Sequence, residues 1–460
     1  MDLHHLELME LADLLRQRDV TSVEVTRALL ERIDNLDDRL ASYARVTPEH
    51  ALGEARIADA EIAAGRYRGP LHGVPLGIKD LFRTKGVPTA AGTTIHRDFV
   101  PEEDATAVGR LRQAGAIVLG KLEMTEGAYS DHHPAITPPR NPWDASYWPG
   151  ISSSGPAAAT AAGLCYGALA SDTGGSIRWP CGATGLTGIK PVWGRVSRYG
   201  AFELAPSLDH VGSIAKSALD AAAILAAIAG PDDKDPTTLA EARPDYDGSI
   251  ASIASPRLGI DARWNSADVD PSVQSALAEA EKVFRSLGAE IVSVRVPDVT
   301  QAVVDWAPAC ALEAAVAHRA TYPKRKSEYG PVLASVIEAG LAVSAIDYQA
   351  IRLRRMELRG RFSHMFRGID ALLMPVQPFG PLTLGEIRTL GTQPDLILKL
   401  QRYTAPLDLT GHASVTLPCG FSENNMPIGM QLAGGDETIL IRAAAAFQRE
   451  TSWHRHRPAL

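Results

Sequence analysis

Apolar positions along this chain recur in two alternating rhythms. Val25, Leu29, Ile33 and Leu36 return at helical spacing behind Thr21-Ser-Val-Glu24, which has the form of a capping box. A packing helix is expected there, and residues 1 to 64 as a whole read as helical. Uninterrupted apolar runs follow, as in strands buried on both faces. They are the run within Gly73-Val-Pro-Leu-Gly-Ile-Lys-Asp80, Ala116 to Leu119 behind a helix over Ala105 to Gly115, and Leu164 to Ala170 behind a small-residue helix opening at Pro156. The alternation resumes later: Leu258 to Ile260 is strand-like, Asp270-Pro271 opens a helix that Gly288 ends, and Ile291 to Val294 is a strand. Residues 300 to 367 read mainly as helices. Asp370 to Met374, Val415 to Leu417 and Ile428 to Leu432 read as strands, and 437 to 449 as a last helix. A polar stretch from Ala229 to about Pro256 reads as a surface excursion, and a Gly-, Pro- and Thr-rich loop spans about 378 to 395, where an element covering substrate could sit. This order predicts an α/β fold with a large mixed, mostly parallel-type central sheet and helices on both faces. No internal repeat or low-complexity tract interrupts it, and residues 1–460 are read as one domain.

Composition narrows the function classes. With 460 residues, 45% hydrophobic and 22% charged, the chain can build a large core. A formal net charge of −8 argues against a nucleic-acid surface, and the short basic runs Lys324-Arg-Lys326 and Arg352-Leu-Arg-Arg355 read as solvated helix faces. Cys165, Cys181, Cys310 and Cys419 have neither redox nor metal-binding spacing and read as thiols of a reducing compartment. The polar start Met1-Asp-Leu-His-His-Leu-Glu7 has no signal-peptide pattern, and no stretch reaches the roughly 20 apolar residues of a membrane span. The expectation is a cytoplasmic protein with neither membrane nor nucleic-acid partner.

Candidate chemistry concentrates in two turns. Gly150-Ile-Ser-Ser-Ser-Gly-Pro156 sets three hydroxyls at the start of a helix, where free backbone N–H groups favour developing negative charge. Ser171-Asp-Thr-Gly-Gly-Ser-Ile-Arg-Trp-Pro180 leaves the apolar run before it and turns on Gly174-Gly175, presenting Ser176 beside unpaired amides, an arrangement suited to a nucleophile at an oxyanion hole. Lys79 ends another apolar run, and a lysine entering a core must be paired or lose its proton. Rival chemistries find less support. There is no Gly-x-Ser-x-Gly elbow, and no histidine motif places a base beside Ser176; His72 is the nearest in motif terms. His4-His5, His132-His133 and His454-x-His456 lack the spacing and carboxylate partners of a catalytic metal site, so no metal is assigned, and no phosphate-binding glycine loop occurs.

At these residues the chain resembles the amidase signature family of serine hydrolases, whose pattern is a Gly-Gly-Ser-Ser-Gly-Gly turn followed by Asp-x-Gly-Gly-Ser-Ile-Arg-x-Pro. The likeness runs from Gly73 to Asp80 through Arg140-Asn-Pro-Trp143 to Leu417-Pro-Cys-Gly420 and Pro427 to Leu432, with a signature core at about 70–215. The resemblance implies Ser176 as nucleophile, Ser152 as bridging serine and Lys79 as base, with the oxyanion hole at the backbone of Thr173, Gly174, Gly175 and Ser176. Ser153, Asp172 and Arg178 would support the site. Gly127, Ala128, Tyr129 and Trp179 are candidates for the substrate pocket, with His132 or His133 as further wall residues. No cofactor is implied. The sequence departs from the family at Ile151 and Ser154, which replace glycines, and at Leu122-Glu123, where Thr-Asn is usual. The family also places a cis peptide before the bridging serine, which makes Ile151–Ser152 the bond to inspect.

Three functions remain open. One is a stand-alone hydrolase, monomeric or homodimeric, cleaving the C–N bond of a small amide, carbamate or related compound. Another is the glutaminase component of a tRNA-dependent amidotransferase, which also carries a Gly-Arg-Val-Ser-Arg-Tyr-Gly-like run, here Gly194 to Gly200. The third is an inactive binding protein, against which the intact Lys79, Ser152 and Ser176 argue. The departures favour the first.

Overall fold

The structure, a computed structural model, describes residues 2–246, 256–390 and 393–460. Among these residues eleven strands share one sheet: β1 (Tyr43–Val46), β2 (Pro75–Lys79), β3 (Ile117–Leu122), β4 (Gly167–Asp172), β5 (Thr187–Lys190), β6 (His210–Ala215), β7 (Arg257–Ile260), β8 (Glu290–Ser293), β9 (Ala371–Pro375), β10 (Ala413–Phe421) and β11 (Pro427–Gly434). Their order is β1-β3-β2-β4-β6-β5-β10-β11-β9-β7-β8. The two edge strands, β1 and β8, are partly exposed, whereas β2 to β6 are buried along their whole length.

The expected mixed sheet and its helical cover are present, but the parallel weighting needs correcting. Only β2–β3, β2–β4, β7–β8 and β7–β9 are parallel, and the other six pairings are antiparallel. Apolar runs report that a strand is covered on both faces; they carry no information on its direction. Strands β4, β6, β5 and β10 reverse one after another, and β10 and β11 form a hairpin.

Residues 1 to 64 hold the helices Leu8–Gln17, Ser22–Leu40 and Pro48–Ala63, with β1 inserted before the last of them. The capping box forms between Thr21 and Glu24, and Val25, Leu29 and Ile33 are buried. Four residues of an edge strand, Tyr-Ala-Arg-Val, are too few to show a period. The region expected to be a loop over 378 to 395 instead holds helix Leu384–Thr389, capped by Thr383 and Glu386, and the start of helix Pro394–Gln401. Part of the predicted polar excursion, 247 to 255, lies outside the described residues. All four cysteines are free and buried, and among the described residues no single helix is long and apolar enough to cross a membrane.

One helix carries the first serine turn. Every residue of Ser154–Ala161 is buried, and its small side chains let it pack tightly against the strands beside it. Gly155 shows how tightly, because a Cβ there would stand 2.4 Å from the Glu123 carbonyl oxygen and 2.5 Å from that of Ser42.

Candidate active site

Three elements converge at one end of the sheet. β2 ends in Lys79, β4 ends in Ser171 and Asp172, and the Gly150 to Ser153 turn feeds helix Ser154–Ala161. Lys79 is completely buried. Its Nζ lies 2.8 Å from Ser152 Oγ, 2.9 Å from Ser153 Oγ and 2.9 Å from Ser171 Oγ, and no carboxylate touches it among the described residues. Burial pushes the amine down from its ordinary 10.5 to about 7, against the opposing pull of the Asp172 and Asp209 charges. Ser152 follows a cis Ile151–Ser152 peptide. Ser153 Oγ also donates to the Ser171 carbonyl at 3.3 Å. Nothing in the sequence marks Ser171 itself, although it begins the second motif.

Asp172 shapes the second turn. Its carboxylate accepts from the backbone N–H groups of Gly175 (2.7 Å) and Ile177 (2.9 Å) and from the Arg178 guanidinium at 3.0 and 2.8 Å. Burial acts to raise this carboxyl, but Arg178 overcomes it and holds Asp172 well below the usual carboxylate range. Arg178, fully buried, also donates to the Thr404 carbonyl at 2.9 Å and pairs with Asp408. Thr173 donates to Asp209 at 2.6 Å. Because Asp172 uses the Gly175 amide, that N–H faces inward. The amides of Thr173, Gly174 and Ser176 form no hydrogen bond among the described residues.

Ser176 is 7% exposed, and its hydroxyl forms no hydrogen bond among the described residues. Two indoles flank its turn. A Cβ on Gly174 would stand 2.5 Å from Trp306 Cζ2, and one on Gly175, at φ +141°, 2.6 Å from Trp179 Cδ2. Both positions therefore require glycine. Trp306 Nε1 donates to the Thr173 carbonyl at 2.9 Å, which fixes the indole over the turn.

The other predicted wall residues spread around this centre. Tyr129 stacks on Trp306 with ring centroids 6.3 Å apart, and Trp179 meets Trp148 at the same distance. Gly127 and Ala128 precede Tyr129 with φ of +57° and +62°. Glu126 anchors their turn by accepting from Gly330 N–H at 3.0 and 3.1 Å, and burial pushes its carboxyl up to about 7. His132 Nε2 lies 3.1 Å from Ser154 Oγ and is held neutral by burial, at about 4. His133 instead accepts from Ala135 N–H within its own loop. The His4-His5 pair does have a carboxylate beside it, Asp2, with ligand-type atoms of the three within 4.8 Å of one another.

Trp306 and Asp408 escape a reading of the sequence, since each meets the motif from a distant part of the chain; Asp209 lies within the signature core, 36 residues from Thr173, but no motif marks its role. Trp306 stands inside an expected helix and carries no local signal beyond its size.

Known proteins match this chain along nearly its whole length. The family model described as Amidase covers residues 24–438. A Mycobacterium tuberculosis protein named, provisionally, as the amidase AmiD is 49% identical over 456 residues, spanning 98% of this chain and 96% of that one. A glutamyl-tRNA(Gln) amidotransferase subunit from a Geobacter species is 38% identical over 484 residues, covering 99% of each. Among solved structures, the peptide amidase of Stenotrophomonas maltophilia superposes with a TM-score of 0.84 at 28% identity, covering 98% of both chains.

Proposed function

This chain belongs to the amidase family and is a hydrolase acting on C–N bonds of amides, and on that premise we propose that it works without a partner subunit, through an acyl-enzyme on Ser176. Its substrate is a small amide, carbamate or related compound. The observation that carries this reading is the buried Lys79 amine, surrounded by three hydroxyls and lowered to about 7.

Counting protons assigns the roles. A neutral amine has two N–H bonds and one lone pair. The Ser153 proton goes to the Ser171 carbonyl, so Ser153 accepts from Nζ, and Ser171 Oγ accepts the second N–H. The lone pair is then left for the Ser152 proton. As Ser176 Oγ attacks the substrate carbonyl, its proton passes to Ser152 and that of Ser152 to Lys79. The same path returns a proton to the leaving nitrogen, and water then releases the acyl group. The free amides of Gly174 and Ser176, with that of Thr173, are the donors for the tetrahedral oxyanion, where each donor contributes about 3–4 kcal/mol. Asp172 and Arg178 hold the turn and do not touch substrate.

Likeness to the amidotransferase component supports a second reading, a glutaminase that needs a partner. The departures from the family pattern weigh against it, because they have local contacts: Ile151 packs with Trp148 and Trp179, Ser154 meets His132, and Glu123 is a buried carboxyl pushed up to about 8. The test is a chelator-treated, partner-free preparation assayed for amine release from small amides, with covalent labelling by a serine-directed phosphonylating reagent. We expect turnover without nucleotide or tRNA, and labelling that Ser176→Ala abolishes. Unchanged labelling of Ser176→Ala would remove the nucleophile assignment. Activity only with glutamine, ATP and a second subunit would establish the other reading.

A further inference from the structure

Two of the amides proposed for the oxyanion belong to peptide units whose carbonyls are held. The Gly174 N–H shares its peptide with the Thr173 carbonyl, and the Ser176 N–H shares its own with the Gly175 carbonyl. Both peptides are trans, the one cis bond among the described residues being Ile151–Ser152. In a trans peptide the C=O and N–H point in opposite directions within one rigid plane, so a bond that holds the carbonyl also aims the amide. The Gly175 carbonyl accepts from the Trp179 backbone N–H at 2.8 Å, at the start of helix Arg178–Thr184. The Thr173 carbonyl lies outside that helix. It accepts instead from the indole N–H of Trp306, at 2.9 Å and from 133 residues away.

The indole is fixed from several sides. Trp306 is buried and stacks on Tyr129 with the ring planes 15° apart. The residue before it, Asp305, accepts from Arg354 at 2.7 Å on each carboxylate oxygen, which ties helix Thr300–Ala317 to helix Ala345–Phe366. A Cβ on Gly174 would stand 3.0 Å from Trp306 Nε1, so a side chain there would press on the donor nitrogen itself. The other indole at the turn is not used in this way, since the Trp179 indole N–H is buried and has no partner among the described residues. A bond to a carbonyl also polarises its peptide and strengthens the N–H as a donor. We propose that Trp306 is a positioning residue of the reaction, whose indole N–H acts through the Thr173 carbonyl to aim and polarise the Gly174 amide toward the oxyanion. This deepens the hydrolase reading above and rests on it.

The test removes the indole N–H and keeps a ring in its place. In one variant Trp306 is replaced by β-(3-benzothienyl)alanine, in which sulfur stands where the N–H was; the other is Trp306→Phe. The first measurement is labelling by an alkyl fluorophosphonate, in which Ser176 Oγ bonds to phosphorus, fluoride leaves, the hydroxyl proton passes to the Lys79 relay and negative charge grows on the phosphoryl oxygen. Its rate should fall about 10- to 100-fold in both variants, less than on deleting an oxyanion donor outright, because the amide remains. The pH midpoint of labelling should stay in place, since Lys79 keeps its three hydroxyls. The second measurement needs no chemistry. In amide NMR spectra of the intact protein with isotope-labelled glycine, the Gly174 nitrogen resonance should move upfield as its peptide loses polarisation, while that of Gly175, whose N–H is held by Asp172, stays. An unchanged labelling rate, a displaced pH midpoint or an unmoved Gly174 resonance would overturn the proposal. Wild-type protein that takes up no label counts against the hydrolase reading, while the Gly174 resonance still decides whether Trp306 holds that peptide.

Discussion

Lys79 and Lys121 sit near the C-terminal ends of adjacent parallel strands, both completely buried, but with different partners. Lys121 Nζ has a carboxylate, Asp80, at 3.2 Å, together with the Phe82 carbonyl and the Thr89 hydroxyl at 2.8 Å each. Lys79 has only hydroxyls. Burial lowers both amines; the Asp80 charge and hydrogen bond oppose the change at Lys121, whereas Lys79 has only the more remote Asp172 and Asp209 acting in that sense. An ammonium beside its own carboxylate is a structural ion pair. An amine offered only hydroxyl oxygens gains little from its charge, so it can release the proton and serve as a base.

Removing each amine tests that difference. Lys79→Met should lower kcat by about 10²- to 10⁴-fold, the usual contribution of a general base. Its stability should change by less than about 2 kcal/mol, because a desolvated amine is exchanged for an apolar side chain of similar length. Lys121→Met should be the reverse case, since it strands Asp80 in the core and should cost about 3–5 kcal/mol of stability. Urea unfolding of the two variants, followed with steady-state kinetics, gives both quantities. Equal losses of stability would erase the distinction, and a wild-type rate for Lys79→Met would return the base to a histidine.

The sequence poses this question at Lys79-Asp80 and cannot answer it. A lysine followed by an aspartate looks like a pair, but neighbouring residues of a strand point to opposite faces, and Asp80 bonds Lys121 on β3. The proposed site residues Lys79, Ser152 and Ser176 stand in short motifs, and the structure brings the first two to 2.8 Å of each other. Asp408 lies 230 residues from Arg178 and Trp306 133 residues from Thr173, and contacts of that length leave no periodic trace. The existence and burial of β2, β3 and β4 were legible, but not their ends: the runs Ala116 to Leu119 and Leu164 to Ala170 correspond to strands Ile117–Leu122 and Gly167–Asp172. Strands β5 and β6 were not legible, because they lie inside a stretch rich in Gly, Ser and turn residues. The two helices near 378 to 401 were hidden by the same composition.

A third test converts one lysine site toward the other. Burial lowers the Lys79 amine from its ordinary 10.5 to about 7, so the neutral amine that the proposed relay requires is present above about pH 7. Activity should fall about tenfold per unit below that point and level off above it. Between about 7 and 10.5 the folded chain holds fewer protons here than the unfolded chain, so this site's contribution to stability rises with pH across that window and is flat below it. Ser171→Asp would give Lys79 the kind of partner Lys121 has. The midpoint of the pH–kcat/KM profile should move up by about 1–3 units, with activity lost at neutral pH and recovered in alkali. A profile that keeps its midpoint would mean that another group sets it.

The smallest expected effect comes from the same position. Ser171→Ala removes one of three oxygens around Nζ and adds no charge. The ammonium form, with three N–H bonds to place, loses more than the neutral amine, which keeps Ser153 as acceptor and Ser152 as donor. The charged form is therefore disfavoured further, and the midpoint should drop by about one unit, the scale of one hydrogen bond to a charged group. The plateau rate should fall only a few-fold, because the relay atoms stay in place. Alanine and aspartate at 171 should thus move the profile in opposite directions, which a generally disordered site would not do. If both moved it the same way, Ser171 would act through the shape of β4 and not through the charge on Lys79.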